Sequence, residues 1–275
     1  MKADQAAAPI SVAASSGAKA AAPATVANAK LETAELLFLR AEAMGLQPAW
    51  VTPKGVIALR FGEHESYLNY ARSPLNTQTS ASLCSNKYYT RMILQRRGLD
   101  NIPFTRARTF SDATTFWQTH GKIIAKPLKG SGSADIHIIT EATQLQNLNI
   151  RGYILEKYIA GEEVRFLVLN DEVIAVHISH YGESVEYDRA LLRISIPSQD
   201  WDAGLVTKSR QIATILGLRF AAVDFLVDAA GKAHILEINS NPGLKWFHAP
   251  SSGPVVNVAH LFLDSITAQH STDGA

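Results

Sequence analysis

The stretch AVDFLVDAAGKAHILEINSNPG, residues 222–243, is the part of the sequence on which our prediction of the fold depends. Two short apolar runs flank a polar turn, Asp228 to Lys232, and this pattern is typical of a β-hairpin. Because side chains alternate along a strand, Glu237 and Asn239 would share one face, with Asp224 opposite them. Two carboxylates and an amide oxygen would then converge, and such oxygen ligands suit Mg²⁺. The alternative is that Asp224 caps a turn and Glu237 is solvated.

Length and composition exclude several classes of protein. The chain has 275 residues, of which 47% are hydrophobic, enough for a sizeable core or for two or three small lobes. A formal net charge of +1 gives no electrostatic reason to expect nucleic acid or an acidic membrane as a partner. No apolar run approaches the roughly 20 residues of a membrane span. We therefore expect a protein that is soluble and has neither kind of partner.

Cysteine usage and the first residues bear on the compartment. Cys84 is the one cysteine, so no internal disulfide can form, which fits a reducing compartment. With no general base nearby in sequence, it is better interpreted as a small buried residue than as a nucleophile. Residues 1–30 are rich in Ala, Ser, Val and Pro and lack the apolar core of a signal peptide. We expect a disordered tail and a cytoplasmic protein.

Periodicity predicts the elements that precede the hairpin. Residues 31–44 read as a helix, followed by strands over 49–52 and 56–61, which make a small αββ unit. A second helix is predicted over 85–98, capped by Ser85 or Asn86, and a third over 201–216, with Gly217 as its C-cap. Residues 181–195 are polar and read as irregular.

A lysine followed by a small-residue loop predicts a phosphate contact. The segment GKIIAKPLKGSGS, residues 121–133, places Lys126 at the end of a short strand, before Pro127. Glycines in the loop that follows let backbone N–H groups approach phosphate oxygens closely. The spacing is neither that of a Walker A loop nor that of a Rossmann fingerprint. The loop consists of Gly130, Ser131, Gly132 and Ser133.

The spacing of Asp224, Glu237 and Asn239, followed by Pro-Gly, resembles the metal-binding end of the ATP-grasp carboxylate–amine ligases. Three upstream segments resemble the family in the same order, and the resemblance runs from about residue 80 to about residue 264. They are NKYYTRMILQRRGLDNIP (86–103), the Lys126 strand with its loop, and YILEKYIAGEEVRFLVL (153–169).

This resemblance implies an α+β fold in which two α/β lobes with mostly antiparallel sheets grip ATP between them, beside the short N-terminal αββ unit. The expected divisions are a tail over 1–30, the N-terminal unit over 31–80, an N-terminal lobe over 81–160 and a C-terminal lobe over 161–270. In the family the N-terminal region helps to bind the acceptor, and here that region is brief.

The resemblance also implies which residues bind the nucleotide. Lys87 and Lys126 would reach the phosphates, and the small-residue loop would cover the γ-phosphate. The alternative for Lys87 is a solvated surface lysine. Glu163 would hold the ribose, because a carboxylate has two acceptor oxygens for the two hydroxyls. The hinge backbone that pairs with adenine would be Glu156, Lys157, Tyr158 and Ile159.

Arginines are implied beside the transferred phosphoryl group. Arg189 or Arg193 would stabilise the acyl phosphate. Arg165 shares a strand face with Glu163, so it would either face the phosphates or form a cross-strand ion pair. D-Alanine–D-alanine ligases carry an arginine two residues before the metal-binding aspartate, and Ala222 stands there in this chain. That difference argues against this branch.

The segment NSNPGLKWFHAPSSGPVVNVA, residues 239–259, resembles the end of the ATP-grasp domain of cyanophycin synthetase and of its glutathione-forming relatives, and ribosomal-protein S6 glutamate ligase-like enzymes are also similar. Ser240, Asn241 and Gly243 would face the acceptor. His248 would contact substrate or, alternatively, cap the following loop.

The family resemblance implies a ligase that activates a carboxylate as an acyl phosphate and joins it to an amine, with release of ADP and phosphate. ATP and two Mg²⁺ ions, replaceable by Mn²⁺, are the implied cofactors. Amino acids or peptides are the implied substrates, and a homodimer the expected assembly. Two alternatives stay open. One is a ligase or macrocyclase acting on side chains of a ribosomal precursor peptide, and the other is a non-catalytic ATP-binding module.

Overall fold

A computed structural model describes residues 31–130, 135–181 and 192–272 of the chain. The predicted disordered tail, the loop residues Ser131, Gly132 and Ser133, and the candidate Arg189 lie outside the described residues. No helix in the described part of the chain is long and apolar enough to cross a membrane.

The N-terminal unit is a helix on a three-stranded antiparallel sheet. It consists of α1 (Thr33–Ala43), β1 (Ala49–Trp50), β2 (Val56–Phe61) and β3 (His64–Asn69), with strand order β1-β2-β3. We predicted two strands in this unit, and the structure has three. The missed strand, HESYLN, buries only Ser66 and Leu68, so its apolar periodicity is too weak to be recognised in the sequence.

The N-terminal lobe is a four-stranded antiparallel sheet with helices beside it. Its strand order is β4-β7-β5-β6. The elements are α2 (Gln78–Cys84), α3 (Lys87–Arg96), β4 (Phe104–Thr105), α4 (Phe110–His120), β5 (Ile123–Pro127), β6 (His137–Ile139) and β7 (Tyr153–Lys157).

The helix predicted over 85–98 is preceded by another that the sequence did not reveal. Asn86 breaks the two apart, because its side chain accepts hydrogen bonds from the N–H groups of Tyr88 and Tyr89 at 3.1 and 3.2 Å. Asn86 is thus the N-cap of α3, whereas Ser85 is the C-cap of α2.

The C-terminal lobe is a five-stranded antiparallel sheet of order β10-β9-β8-β11-β12. The predicted irregular region was wrong at its end, because Leu192–Ser195 forms an edge strand that pairs with His177–His180. The elements are β8 (Glu162–Leu169), β9 (Glu172–His180), β10 (Leu192–Ser195), α5 (Ala203–Leu216), β11 (Phe220–Val227), β12 (Ala233–Asn239), α6 (Lys245–His248) and α7 (Val258–Thr272).

The two faces of the five-stranded sheet differ. One face, with Phe166 and Phe225, is apolar and packs against α5 and α3. The other face is apolar at one end, where Leu167 and Phe220 join the core under α7. Further along the same strands, on this second face, stand Arg165 on β8 and Asp224 on β11, and Asp224 lies opposite Glu237 on β12. The fold therefore places charged side chains at the end of a sheet that faces the N-terminal lobe.

The N-terminal unit shares its core with the C-terminal lobe. Leu37, Ile57 and Leu68 lie in the same buried cluster as Phe220 of β11 and Phe262 of α7. The division of the chain at about residue 80 stays a prediction, but the unit is anchored against the lobe that carries the charged strand ends.

Candidate active site

The β11–β12 hairpin brings the three predicted metal ligands together. Asp224 stands directly opposite Glu237 in the strand register. Nδ2 of Asn239 donates to Oδ2 of Asp224 at 3.2 Å and to Oε1 of Glu237 at 2.7 Å. Asp224 is buried, with 1% of its surface exposed, so it does not act as a cap in an exposed turn.

Arg165 forms the cross-strand ion pair that was one of its two predicted roles. Its Nε and Nη2 lie 2.6 and 2.7 Å from the two carboxylate oxygens of Asp224. Burial raises the pKa of Asp224, and the neighbouring Glu163 and Glu237 raise it further, whereas Arg165 opposes the shift. Three carboxylates and one guanidinium thus meet here, which leaves an excess of negative charge that a cation would relieve.

The donor set fits an oxygen-preferring cation. No group of three His, Cys, Asp or Glu side chains in the described ranges is placed to hold a metal ion. Asp224, Glu237 and Asn239 instead supply two carboxylates and an amide, a set that suits Mg²⁺ when phosphate and water complete its octahedron. Asn239 turns its amide nitrogen towards the carboxylates, and a half-turn of the nearly symmetric amide would present its oxygen.

A cavity of about 310 Å³, here called the hinge cavity, lies between the two large sheets. Ile124 and Glu156 reach it from the four-stranded sheet, and Glu163 and Leu226 from the five-stranded sheet. Its aliphatic walls suit a flat heteroaromatic ring. Six residues predicted to bind the nucleotide line it: Lys126, Glu156, Lys157, Tyr158, Ile159 and Glu163.

Part of the hinge backbone is already committed to the sheet. The N–H of Lys157 donates to the carbonyl of Pro103 at 2.9 Å, and that of Tyr158 donates to the carbonyl of Lys122 at 3.1 Å. A base edge would therefore have to find its donor from Ile159 onward. Beyond this point a Cβ on Gly161 would lie 2.6 Å from the carbonyl oxygen of Val227, so only glycine fits where the hinge passes β11.

Glu163 has a partner that the sequence did not reveal. The hydroxyl of Tyr181 donates a short hydrogen bond to its carboxylate, and both residues line the hinge cavity. Burial raises the pKa of Tyr181, and the charge of Glu163 raises it further. The phenol thus stays protonated and fixes one oxygen of the carboxylate that was predicted to hold the ribose.

Glu156 and Lys126 form a buried ion pair beside the hinge cavity. Nζ of Lys126 lies 2.7 Å from Oε2 of Glu156, off the direction of a hydrogen bond, and Nε of Arg91 donates to Oε1 at 2.7 Å. Burial alone would raise the pKa of Glu156, but the two cations outweigh it and lower the pKa to about 2. The carboxylate of Glu156 is thus held by cations, so any contact with adenine falls to its backbone.

Arg91 joins three parts of the molecule, and sequence reasoning missed it. Besides Glu156 on β7, its guanidinium donates to the carbonyls of Ile235 and Leu236 on β12, the latter at 2.8 Å. It projects from α3 and is buried, with 3% of its surface exposed. The single side chain therefore connects both large sheets at the base of the cavity.

A second cavity, of about 240 Å³, adjoins the hinge cavity. The two share Glu156, Leu236 and Glu237 in their walls, so Glu237 faces both. Lys87 also lines the second cavity and donates from Nζ to the carbonyl of Gly130 at 2.9 Å, which links α3 to the start of the small-residue loop. The rest of its lining is Arg72, Cys84, Ser85, Thr90, Arg91, Gly130, Ile238, Asn239, Ser240 and Asn241.

A model of the ATP-grasp domain matches residues 84–243, more than half of the chain. The chain belongs to the ATP-grasp family.

Its relatives and structural neighbours agree with this assignment. A D-alanine–D-alanine ligase from Pelobacter propionicus is 25% identical over 182 residues, which cover 60% of this chain and 58% of that protein. A probable alpha-L-glutamate ligase from Sodalis glossinidius is 25% identical over 212 residues, which cover 72% and 70%. This chain thus spans less than two thirds of the first of these relatives.

Solved structures confirm the ATP-grasp fold class. A bifunctional glutathione synthetase from Pasteurella multocida superimposes with a TM-score of 0.64 at 14% identity, over 89% of this chain and 45% of that one. The ATP-grasp ligase PsnB, solved with a phosphomimetic variant of its minimal precursor, Mg and ADP, gives 0.59 at 20% identity, over 71% and 61%. The separation from the D-alanine–D-alanine branch, inferred from Ala222, stays a prediction.

A polar row crosses the ATP-grasp sheet beside the candidate metal ligands. The strand register sets Ser195, His177 and Arg165 in line with Asp224. In the neighbouring row, Nη1 of Arg193 donates to the hydroxyl of Ser179 at 2.8 Å. Three buried atoms in these rows have no hydrogen-bond partner among the residues that the structure describes: Nδ1 of His177, Nε of Arg193 and Oγ of Ser195.

His177 stays neutral in this row, because burial lowers its pKa well below the usual value and Arg165 and Arg193 lower it further. His180, three residues on, forms a separate contact from Nδ1 to Glu162 at 2.8 Å. The two histidines thus have separate surroundings.

Two of the predicted substrate contacts, His248 and Gly243, line neither cavity. Nε2 of His248 accepts a hydrogen bond from the N–H of Ala259 at 3.1 Å, so the ring caps α7. Burial and Arg40 lower the pKa of His248 to about 4, which keeps this acceptor unprotonated. Gly243 lies against Thr33 of α1 instead of in either cavity wall. Of the four predicted residues, only Ser240 and Asn241 line the second cavity.

Cys84 is a buried residue of the wall, as the sequence indicated. Its Sγ donates to the carbonyl of Ile238 at 3.0 Å. Burial raises the pKa of the thiol to about 11. A thiolate nucleophile is therefore not part of this site.

Proposed function

We propose that this chain is an ATP-dependent ligase that activates a carboxylate as an acyl phosphate and joins it to an amine, with release of ADP and phosphate. The observation that carries the proposal is the position of Glu237 in the wall common to both cavities. A nucleotide with its base in the hinge cavity would extend its distal phosphates past Asp224 and Glu237. Lys126 lines the hinge cavity and Lys87 lines the second cavity, so both lysines lie along this path.

The residues of the chain would act by positioning and by neutralising charge. Lys126 and Lys87 would counter the negative charge of the phosphates, and Arg193 has an unpaired buried N–H for the transferred phosphoryl group. When bound, Mg²⁺ at Asp224, Glu237 and Asn239 would supply further positive charge along the phosphates. The amine then forms the new C–N bond as the C–O bond to phosphate breaks, so no protein nucleophile is required.

The substrate pair can be found by its product. Pairwise mixtures of amino acids and dipeptides, supplied with ATP and Mg²⁺, should release ADP for at least one pair. The non-catalytic alternative predicts that no pair does so. It also predicts loss of the metal ligands, and all of them are present in this sequence.

The route is tested by labelling. With ¹⁸O in the carboxylate, one label should appear in inorganic phosphate, and ADP, phosphate and amide should form in equal amounts. An adenylating enzyme would release AMP and pyrophosphate instead. Finding AMP, or finding all of the label in the amide, would overturn the acyl-phosphate route.

We extend the proposal to two Mg²⁺ ions, replaceable by Mn²⁺, to amino acids or peptides as substrates, and to a homodimer in the cytoplasm. The free thiol of Cys84 agrees with a reducing compartment. Calorimetric titration of metal into the ADP complex gives the number of ions, and sedimentation gives the assembly.

A further inference from the structure

One cation in the wall of the second cavity has no assigned role. Arg72 comes from the N-terminal unit, just after β3, and its side chain is exposed. The other two cations of that wall are already engaged, Lys87 with the carbonyl of Gly130 and Arg91 with Glu156. Over the described ranges, Arg72 forms no ion pair with an acidic side chain.

The backbone that carries Arg72 is fixed. Asn69 and Arg72 exchange two backbone hydrogen bonds of 3.0 Å each. A few residues on, Nδ2 of Asn76 donates to the carbonyls of Phe220 at 2.7 Å and of Ser240 at 3.3 Å. Its Oδ1 accepts from the N–H groups of Arg219 and Phe220 at 2.8 and 3.0 Å. Asn76 thus ties the loop of Arg72 to the start of β11 and to the residue that follows β12.

The same cavity also offers acceptors. Oδ1 of Asn241 is buried and has no hydrogen-bond partner among the described residues, and Ser240 beside it lines the same cavity. A free guanidinium together with such acceptors matches a molecule that carries both an anionic and a cationic group. An amino acid or peptide with a free carboxylate and an ammonium group has this chemistry.

We propose that Arg72 binds a carboxylate that is not consumed in the reaction, and so makes the second cavity selective for a substrate with a free carboxylate. This inference rests on the proposed function for the identity of the cavity as the substrate site. The N-terminal unit, although brief, then completes the site. An arginine suits this role because its planar fork can engage both oxygens of a carboxylate.

Binding is measured directly, without turnover. Saturation-transfer NMR on a mixture of the twenty common L-amino acids, with ADP and Mg²⁺ present, identifies those that bind the wild-type protein. Dissociation constants are then compared for each binder and for its primary carboxamide. Arg72→Ala and Arg72→Gln are compared with Arg96→Ala, which removes an exposed arginine on α3 that lines neither cavity.

We expect the wild-type protein to bind the acid about tenfold to a hundredfold more tightly than the amide, as one charge-assisted contact allows. Both Arg72 variants should lose this preference. Their affinities for the amide and for ADP, and their melting temperatures, should equal those of the wild type. Arg96→Ala should behave as the wild type.

Three results would overturn the inference. The first is that the Arg72 variants still prefer the acid to the amide. The second is that they lose affinity for ADP together with affinity for the acid, which would indicate that Arg72 contacts phosphate. The third is that the wild-type protein binds none of the amino acids. Failure of the proposed function is distinguishable, because amino acids would then bind through Arg72 while no substrate pair released ADP.

Discussion

Glu237 lines the hinge cavity and accepts a hydrogen bond from Asn239, another of the candidate metal ligands. Glu237→Gln keeps the size of the side chain and removes its charge, so we expect turnover of ATP to fall by about a hundredfold or more. The fold should be unaffected, because Glu237 is only partly buried. ADP release at saturating substrate, together with a thermal melt, checks both points.

The matched control for Glu237 is Glu172→Gln, whose carboxylate is exposed on β9 and lines neither cavity. It should retain wild-type turnover. Undiminished ADP release by the Glu237 variant would remove this residue from the site.

Lys126 and Lys157 both line the hinge cavity but should behave differently. Lys126→Met should weaken the binding of ATP at least tenfold and leave adenosine within about twofold, because the lysine is assigned to phosphate and a lost charged contact has this size. Lys157→Met should change neither, because only the backbone of Lys157 is assigned to the base. Calorimetry with both ligands checks the difference, and an equal loss of ATP and adenosine affinity in the Lys126 variant contradicts it.

Sequence reasoning located the residues whose role depends on local spacing and missed those whose partners are distant. Asp224, Glu237 and Asn239 were predicted because strand alternation fixes their face. Arg91 could not be recognised, because its carboxylate partner lies 65 residues away in sequence, at Glu156. For the same reason, nothing marked Arg72 among the 26 Lys and Arg residues.

At the scale of elements, a helix end marked by glycine could be predicted from the sequence, whereas elements with weak apolar periodicity could not. Gly217 ends α5 in the left-handed conformation, as predicted. Strand β3 and helices α2 and α4 were not predicted, because few of their side chains are buried and tertiary packing supplies most of their stability.

The contact between the loop after α6 and strand β10 depends on one glycine. Gly253 has φ of 86°, and a Cβ there would lie 1.9 Å from the carbonyl oxygen of Ser195. Gly253→Ala should therefore lower the free energy of unfolding by roughly 3 kcal/mol or more, as strain and clash add. Chemical denaturation measures the change.

Gly45 provides the comparison, since its φ is 75° but no atom lies within 4 Å of the Cβ that would be added. Gly45→Ala should cost only the strain, about 1–2 kcal/mol. Equal losses in the two variants would show that the contact with Ser195 does not matter.

At the scale of the whole molecule, stability should depend on pH through buried groups. The pKa of His248 is about 4 in the fold, below its usual 6.5, so between these values the unfolded chain binds a proton that the folded chain does not. The contribution of His248 to stability is therefore present above pH 6.5 and is lost as pH drops from 6.5 to 4, whereas the raised pKa of Asp224 acts in the opposite sense.

Glu156 causes a second loss of stability at lower pH. Its pKa is about 2 in the fold against 4.5 when unfolded, so its contribution is present above pH 4.5 and is lost as pH falls from there towards 2. His248→Gln keeps an acceptor for the N–H of Ala259 and should reduce only the upper step, part of which remains because the pKa of His177 is lowered as well. Urea titrations between pH 3 and pH 8 measure both steps. An unchanged slope between pH 6.5 and 4 would exclude His248 as its cause.

Cys84 makes this protein easy to probe, because it is the one thiol in the chain and lies in the wall of the second cavity. With 5% of its surface exposed and a pKa of about 11, it should react with alkylating reagents only when that wall opens. The rate of alkylation in the native protein therefore measures how often this wall opens. A ligand that fills either cavity should lower the rate of alkylation, so the thiol can report whether a cavity is occupied before any product is known.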